Sequence, residues 1–138
     1  MRASLSHVIR IVSIATTLIF LSSPTFAQNY PNKTIKMVVP YPAGGGSDTL
    51  SRPLAQRLSA ELGQAVIVDN KGGAGGNIAM EFVAHSAPDG YTLMLGLSPQ
   101  LAVNMSLFDK VPYDVQKDFV PITLLAEGPY LLVVNPGV

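Results

Sequence analysis

Cysteine is absent from all 138 residues, and histidine occurs only at His7 and His85. The first absence excludes disulfide cross-links and a lipid-modified cysteine anchor; together the two leave too few soft ligands for a transition-metal site. Charge is also sparse, at 13% Asp, Glu, Lys and Arg with a formal net charge of zero. That balance lacks the basic patch that nucleic-acid binders carry. No internal repeat, heptad or low-complexity segment is present. The apolar stretch Ile11 to Leu21 is shorter than the roughly 17–25 residues that a membrane-spanning helix needs.

Enzyme signatures are missing at identifiable positions. A Walker loop needs a lysine after its last glycine, whereas Gly46 is followed by Ser47 and Asp48. A dinucleotide fingerprint begun at Gly73 meets Ile78 at its third glycine position, and one begun at Gly44 meets Thr49. Gly96-Leu97-Ser98-Pro99-Gln100 lacks the closing glycine of a nucleophile elbow. We therefore expect no catalytic residue, no cofactor and no metal.

The N-terminus reads as an export signal. Arg2 and Arg10 supply a positive region, Ile11 to Leu21 a short apolar core, and Ser22 to Ala27 a small-residue cleavage site, with cleavage expected after Ala27. Removing residues 1–27 leaves 111 residues with seven basic against nine acidic side chains. That is one small domain, mildly acidic, expected in a periplasm.

Along the remaining chain, apolar runs alternate with glycine turns and helical patterns. Ile35 to Val39 reads as a strand, Ser47 to Leu62 as a helix with Leu50, Leu54, Leu58 and Leu62 on its inner face and Arg52 in solvent, and Gly63 as its stop. Ala65 to Val68 is a second strand, Lys71 to Asn77 a second glycine turn, and Ile78 to Val83 a second helix. Pro88-Asp89-Gly90 turns into a third strand, Tyr91 to Leu95. A loop and short helix reach Asn104, Tyr113 to Phe119 is irregular, and two further strands are expected at Ile122 to Ala126 and Tyr130 to Val134. This order implies an α/β fold in three layers, a parallel-type sheet with flanking helices and right-handed crossovers.

Parallel sheets bind ligands beyond the carboxyl ends of their strands. Tyr41 to Asp48 is the foremost loop there: glycines let several N–H groups face one point, and the following helix adds its free amides and the positive end of its dipole. With no fixed cationic side chain, such a cradle suits a carboxylate, with phosphate as the rival and a plain strand-to-helix turn as the structural alternative. Two roles are open to Asp48, a first-turn charge that orders the loop or an acceptor for a ligand donor. Tyr41 either walls the crevice or packs in support. Gly75 and Asn77 in the second turn, and Ser98 and Gln100 after the third strand, complete the candidates, the last two with loop-capping as the alternative. Lys71 either steers anions or is simply solvated beside Asp69.

Four segments in fixed order carry a resemblance: KMVVPYPAGGGSD, LAQRLSAELGQAVIVDNKGGAGGN, APDGYTLMLG and KDFVPITLLAEGPYLLVVNP. Together they resemble the Bug-type solute receptors of tripartite tricarboxylate transporters, over Tyr30 to Val138. The resemblance implies a non-enzymatic, monomeric periplasmic receptor of two α/β lobes, type II-like, that closes on a small di- or tricarboxylate and delivers it to membrane permease subunits. It implies ligand contacts from the backbone amides of Ala43, Gly44, Gly45, Gly46 and Ser47. Lys71-Gly72-Gly73 stands where many relatives show Arg-Pro-Gly, which implies a more flexible second loop. Residues 28–138 would then be the first lobe, truncated near the hinge. A non-binding fragment and a nucleotide-binding α/β domain are the competing expectations.

Overall fold

The computed structural model describes residues 30–129 and 131–137. The expected signal peptide therefore lies outside the described residues. The chain divides into Met1–Asn32 and Lys33–Val138. Only residues 30–32 of the first unit are described, with a cis Tyr30–Pro31 peptide; the second unit carries the fold.

Its sheet has three strands, β1 (Ile35–Val39), β2 (Val66–Asn70) and β3 (Thr92–Met94), all parallel in the order β2-β1-β3. The central strand is the most apolar, as expected of a strand covered on both faces. Ile35, Val38 and Val39 are wholly buried and Met37 nearly so. Between the strands run α1 (Gly46–Leu62) and α2 (Asn77–Ala84), the latter entered through a 3₁₀ turn at Ala74–Gly76. Strand alternation sorts the two faces. Ile35, Met37 and Val66 pack with Ala55, Leu54 and Leu58 of α1. On the other face the Lys36 ammonium lies 5.2 Å from the ring centre of Phe82 on α2. Helices on both faces of a parallel sheet make the three-layer α/β arrangement expected from the sequence.

The inner face of α1 differs from the leucine stripe. Asp48, Ser51 and Ala55 are its buried residues, whereas Leu50 and Leu62 are 45% and 37% exposed. Small side chains on that line let the helix approach the sheet closely, and Leu54 and Leu58 fill the flanks. Pro53 sits inside α1 and Gly63 ends it in the left-handed region, φ 65° and ψ 15°. Ser59 ties the helix to the sheet: its hydroxyl donates to the Ala55 carbonyl at 2.7 Å and accepts the Val66 N–H at 2.8 Å.

After β3 a π-helical turn (Pro99–Val103) runs into α3 (Asn104–Leu107), and one turn of helix, α4 (Val115–Asp118), follows. The strands expected at Ile122 to Ala126 and Tyr130 to Val134 are not formed among the described residues; Tyr130 is outside them. Ile122, Leu124, Leu131 and Leu132 are 72–95% exposed. Those runs have strand composition, but a strand is stable only with a partner for its N–H and C=O groups, and β3 ends the sheet on its outer side.

Core and tail should respond differently to truncation in urea unfolding. Met37→Ala is expected to cost about 2–5 kcal/mol, as for other large-to-small core changes. Leu132→Ala, at a site 95% exposed, is expected to stay within about 0.5 kcal/mol of wild type.

Candidate functional site

β1 and β3 are neighbours, so the loops leaving their carboxyl ends meet at one edge of the sheet. An open depression of about 550 Å³ lies there, lined by Tyr41, Pro42 and the run from Ala43 to Ser47. Pro40 beneath it is fully buried. Gly44 turns with φ 86°, a conformation that side chains resist. Gly45 caps α1 with extended backbone and without a side-chain hydrogen bond. The N–H groups of Gly46 and Ser47 therefore open the helix with no intrahelical acceptor, at the positive end of its dipole.

Asp48 lies under this loop, 5% exposed. Its Oδ2 accepts the Gly44 N–H at 2.9 Å and the Arg52 Nε–H at 2.8 Å. The network continues outward. Arg52 Nη2 is 3.5 Å from Asn70 Oδ1, and Asn70 Nδ2 donates to the Tyr41 carbonyl at 3.1 Å. The Arg52 hydrogen bond, then that from Gly44, lowers the Asp48 carboxyl from its ordinary 3.8 to about 2. Asp48 is thus ionised at neutral pH but neutralised by Arg52, so it does not set an uncompensated negative charge beneath the depression. It also claims the Gly44 N–H, one of the amides that the family resemblance assigns to the ligand. Of the expected amide donors, Gly44 is already committed within the protein.

The second glycine turn is left-handed through four consecutive residues, with φ 121° at Gly73, 47° at Ala74, 64° at Gly75 and 93° at Gly76. That path exposes the Gly75 carbonyl to two donors, Gln100 Nε2 at 2.7 Å and Asn104 Nδ2 at 3.1 Å. Gln100 is wholly buried, and its Nε2 also donates to the Tyr41 hydroxyl oxygen at 3.1 Å. A Cβ on Gly76 would stand 2.8 Å from Gln100 Cγ, so only glycine leaves room for this side chain. Asn77 is buried rather than in the wall of the depression, and its Oδ1 accepts from Asn104 Nδ2 at 2.7 Å and Tyr113 Oη at 2.9 Å. Burial raises the Tyr113 phenol above its ordinary value. Ser98 is exposed and makes no cap hydrogen bond at the start of the π-helical turn. The Lys71 ammonium is engaged, 3.5 Å from Asp69 and 4.3 Å from the ring centre of Phe82.

The candidate residues thus separate: Tyr41 and Ala43 to Ser47 lie at the depression and Asp48, Gly75, Asn77 and Gln100 in the framework behind it, while the exposed Ser98 belongs to neither. Sequence reading missed Arg52, Asn70, Asn104 and Tyr113. Arg52 carried a usable signal, its i,i+4 spacing from Asp48. The other three act across 27 to 36 positions, where nothing local announces them. Among the described residues no cluster could hold a metal ion and no helix is long and apolar enough to cross a membrane.

Two outcomes are expected. Because folding lowers the Asp48 carboxyl from 3.8 to about 2, its stabilisation is fully present above the unfolded value and is lost as pH falls through about 2; Asp48→Asn should flatten that acid limb when melting temperature is followed against pH. Gly76→Ala imposes left-handed strain and displaces Gln100, and is expected to cost on the order of 1–3 kcal/mol in chemical denaturation.

Residues 50–138 match the model of the tripartite tricarboxylate transporter family receptor. Protein BugT of Bordetella pertussis is 40% identical over 134 residues, which are 96% of this chain and 41% of BugT. MatC of Rhodopseudomonas palustris, solved with bound malate, superposes with a TM-score of 0.64 at 40% identity, over 67% of this chain and 31% of that one. A second R. palustris protein, Rpa4515, solved with adipate, gives 0.61 at 38% identity over 63% and 29%. The chain therefore spans well under half the length of these relatives, and it belongs to the tripartite tricarboxylate transporter receptor family.

Proposed function

We propose that residues 33–137 form the ligand-facing part of the first lobe of an extracytoplasmic receptor, which captures a small organic acid with two or three carboxylates. The observation that carries this reading is the glycine turn at the start of α1, whose Gly46 and Ser47 line the depression with helix-opening amides that have no intrahelical acceptor, beside a carboxylate already neutralised by Arg52. Convergent amides favour a carboxylate and disfavour a cation, because every donor presents a partial positive charge. The Ser47 hydroxyl adds a donor at the same rim. Malate in MatC and adipate in Rpa4515 support the acid class. On this reading residues 1–27 export the chain to the periplasm, and the receptor is a monomer. A second lobe closes over the depression, and the closed form delivers the acid to membrane permease subunits.

The test is titration calorimetry of the purified protein with malate and adipate against their diamides. Charge-assisted hydrogen bonds are worth about 1.5–3 kcal/mol, so the acids should bind at least about tenfold more tightly. Equal affinity for acid and diamide would sink the proposal.

A further inference from the structure

The direction of one proton at the depression is decided by Gln100. The Gly75 carbonyl can only accept, so the end of the Gln100 amide that meets it at 2.7 Å is the nitrogen. Turning the amide over would set oxygen against oxygen. The same nitrogen points its other hydrogen at the Tyr41 hydroxyl oxygen, 3.1 Å away. An amide nitrogen does not accept hydrogen bonds, so in this pair the phenol is the acceptor. Its own O–H must be donated elsewhere, and no acceptor for it is found among the described residues. Tyr41 lines the depression. This orientation leaves Gln100 Oε1 buried without a donor, so the amide is held by its nitrogen side alone. Gly76 maintains the space that keeps it there.

We propose that Tyr41 donates a hydrogen bond to the bound acid, with Gln100 as the positioning residue that occupies one acceptor site of the phenol and leaves its O–H to point away from the framework. This rests on the carboxylate reading and deepens it. The loop amides take one carboxylate, while Tyr41 donates to a second acceptor oxygen, a hydroxyl, keto or carboxylate oxygen. A phenylalanine would fill the same wall but select nothing.

The experiment is calorimetry with a series of C4 to C6 dicarboxylic acids on wild type, Tyr41→Phe, Gln100→Met and the double variant, each checked for a cooperative melt. Tyr41→Phe keeps the ring and is expected to weaken the best acid about tenfold or more, as loss of a bond to a charged acceptor would. Gln100→Met should weaken binding when Tyr41 is present and have no further effect in the Tyr41→Phe background; a merely structural role would weaken both equally. Wild-type affinity in Tyr41→Phe, or equal effects of Gln100→Met in both backgrounds, overturns the inference while leaving the carboxylate reading intact. Failure of wild type to bind any acid of the series overturns that reading and the inference with it.

Discussion

A single buried carboxylate orders the loop on which the site depends. Glycines at Gly44, Gly45 and Gly46 make the turn possible, but permissive residues do not choose one conformation. Asp48 chooses it, by drawing the Gly44 N–H and the Arg52 guanidinium onto the same oxygen. A lone carboxylate at 5% exposure would be costly to keep charged. Arg52 makes it tolerable, and because Arg52 lies one helical turn away the compensation comes from the helix that the loop enters. The loop is therefore ordered without placing net negative charge beneath the depression where the proposed acid would sit.

Rigidity at the depression also comes from behind. The left-handed path from Gly73 to Gly76 turns one carbonyl, that of Gly75, toward the helical segment after β3. Gln100 then bridges the loops that follow β1 and β2, and Asn104, Asn77 and Tyr113 fill the space beside it with mutually satisfied hydrogen bonds. Polar networks of this kind are stable only when nearly every member is paired. Here they hold three loops in register behind the depression, and the helix-opening amides of Gly46 and Ser47 at its lining have no intrahelical acceptor.

The parts legible in the sequence were those with a short period or a local signature. A short apolar run found β1, glycine found the turns, and the strand-helix order found the parallel sheet with helices on both faces. Of the leucine stripe of α1, Leu54 and Leu58 pack against the core as expected, while Leu50 and Leu62 stay exposed because the buried line runs through Ser51 and Ala55 instead. Ile122 to Ala126 and Tyr130 to Val134 were misjudged for a different reason. Their residue types favour extended backbone, but propensity cannot supply the neighbouring strand that a ladder needs. At the site, residue types pointed to the Tyr41 to Asp48 loop and to Gln100 without indicating that Gln100 stands behind Tyr41.

By itself, then, the sequence determined the three strands of the sheet, the two helices between them, their order and the family. These depend on interactions within a few residues, on glycine's freedom at positive φ, and on apolar spacing that any fold of this chain must bury. Only the tertiary structure decided which amide of the loop turns inward to Asp48, which carbonyl of the second turn receives Gln100, and how the Tyr41 hydroxyl is oriented. Those choices join residues up to 59 positions apart. They exist only once the order β2-β1-β3 has brought the strand ends together, because a hydrogen bond's direction is set by the partner that arrives and not by the residue that waits for it.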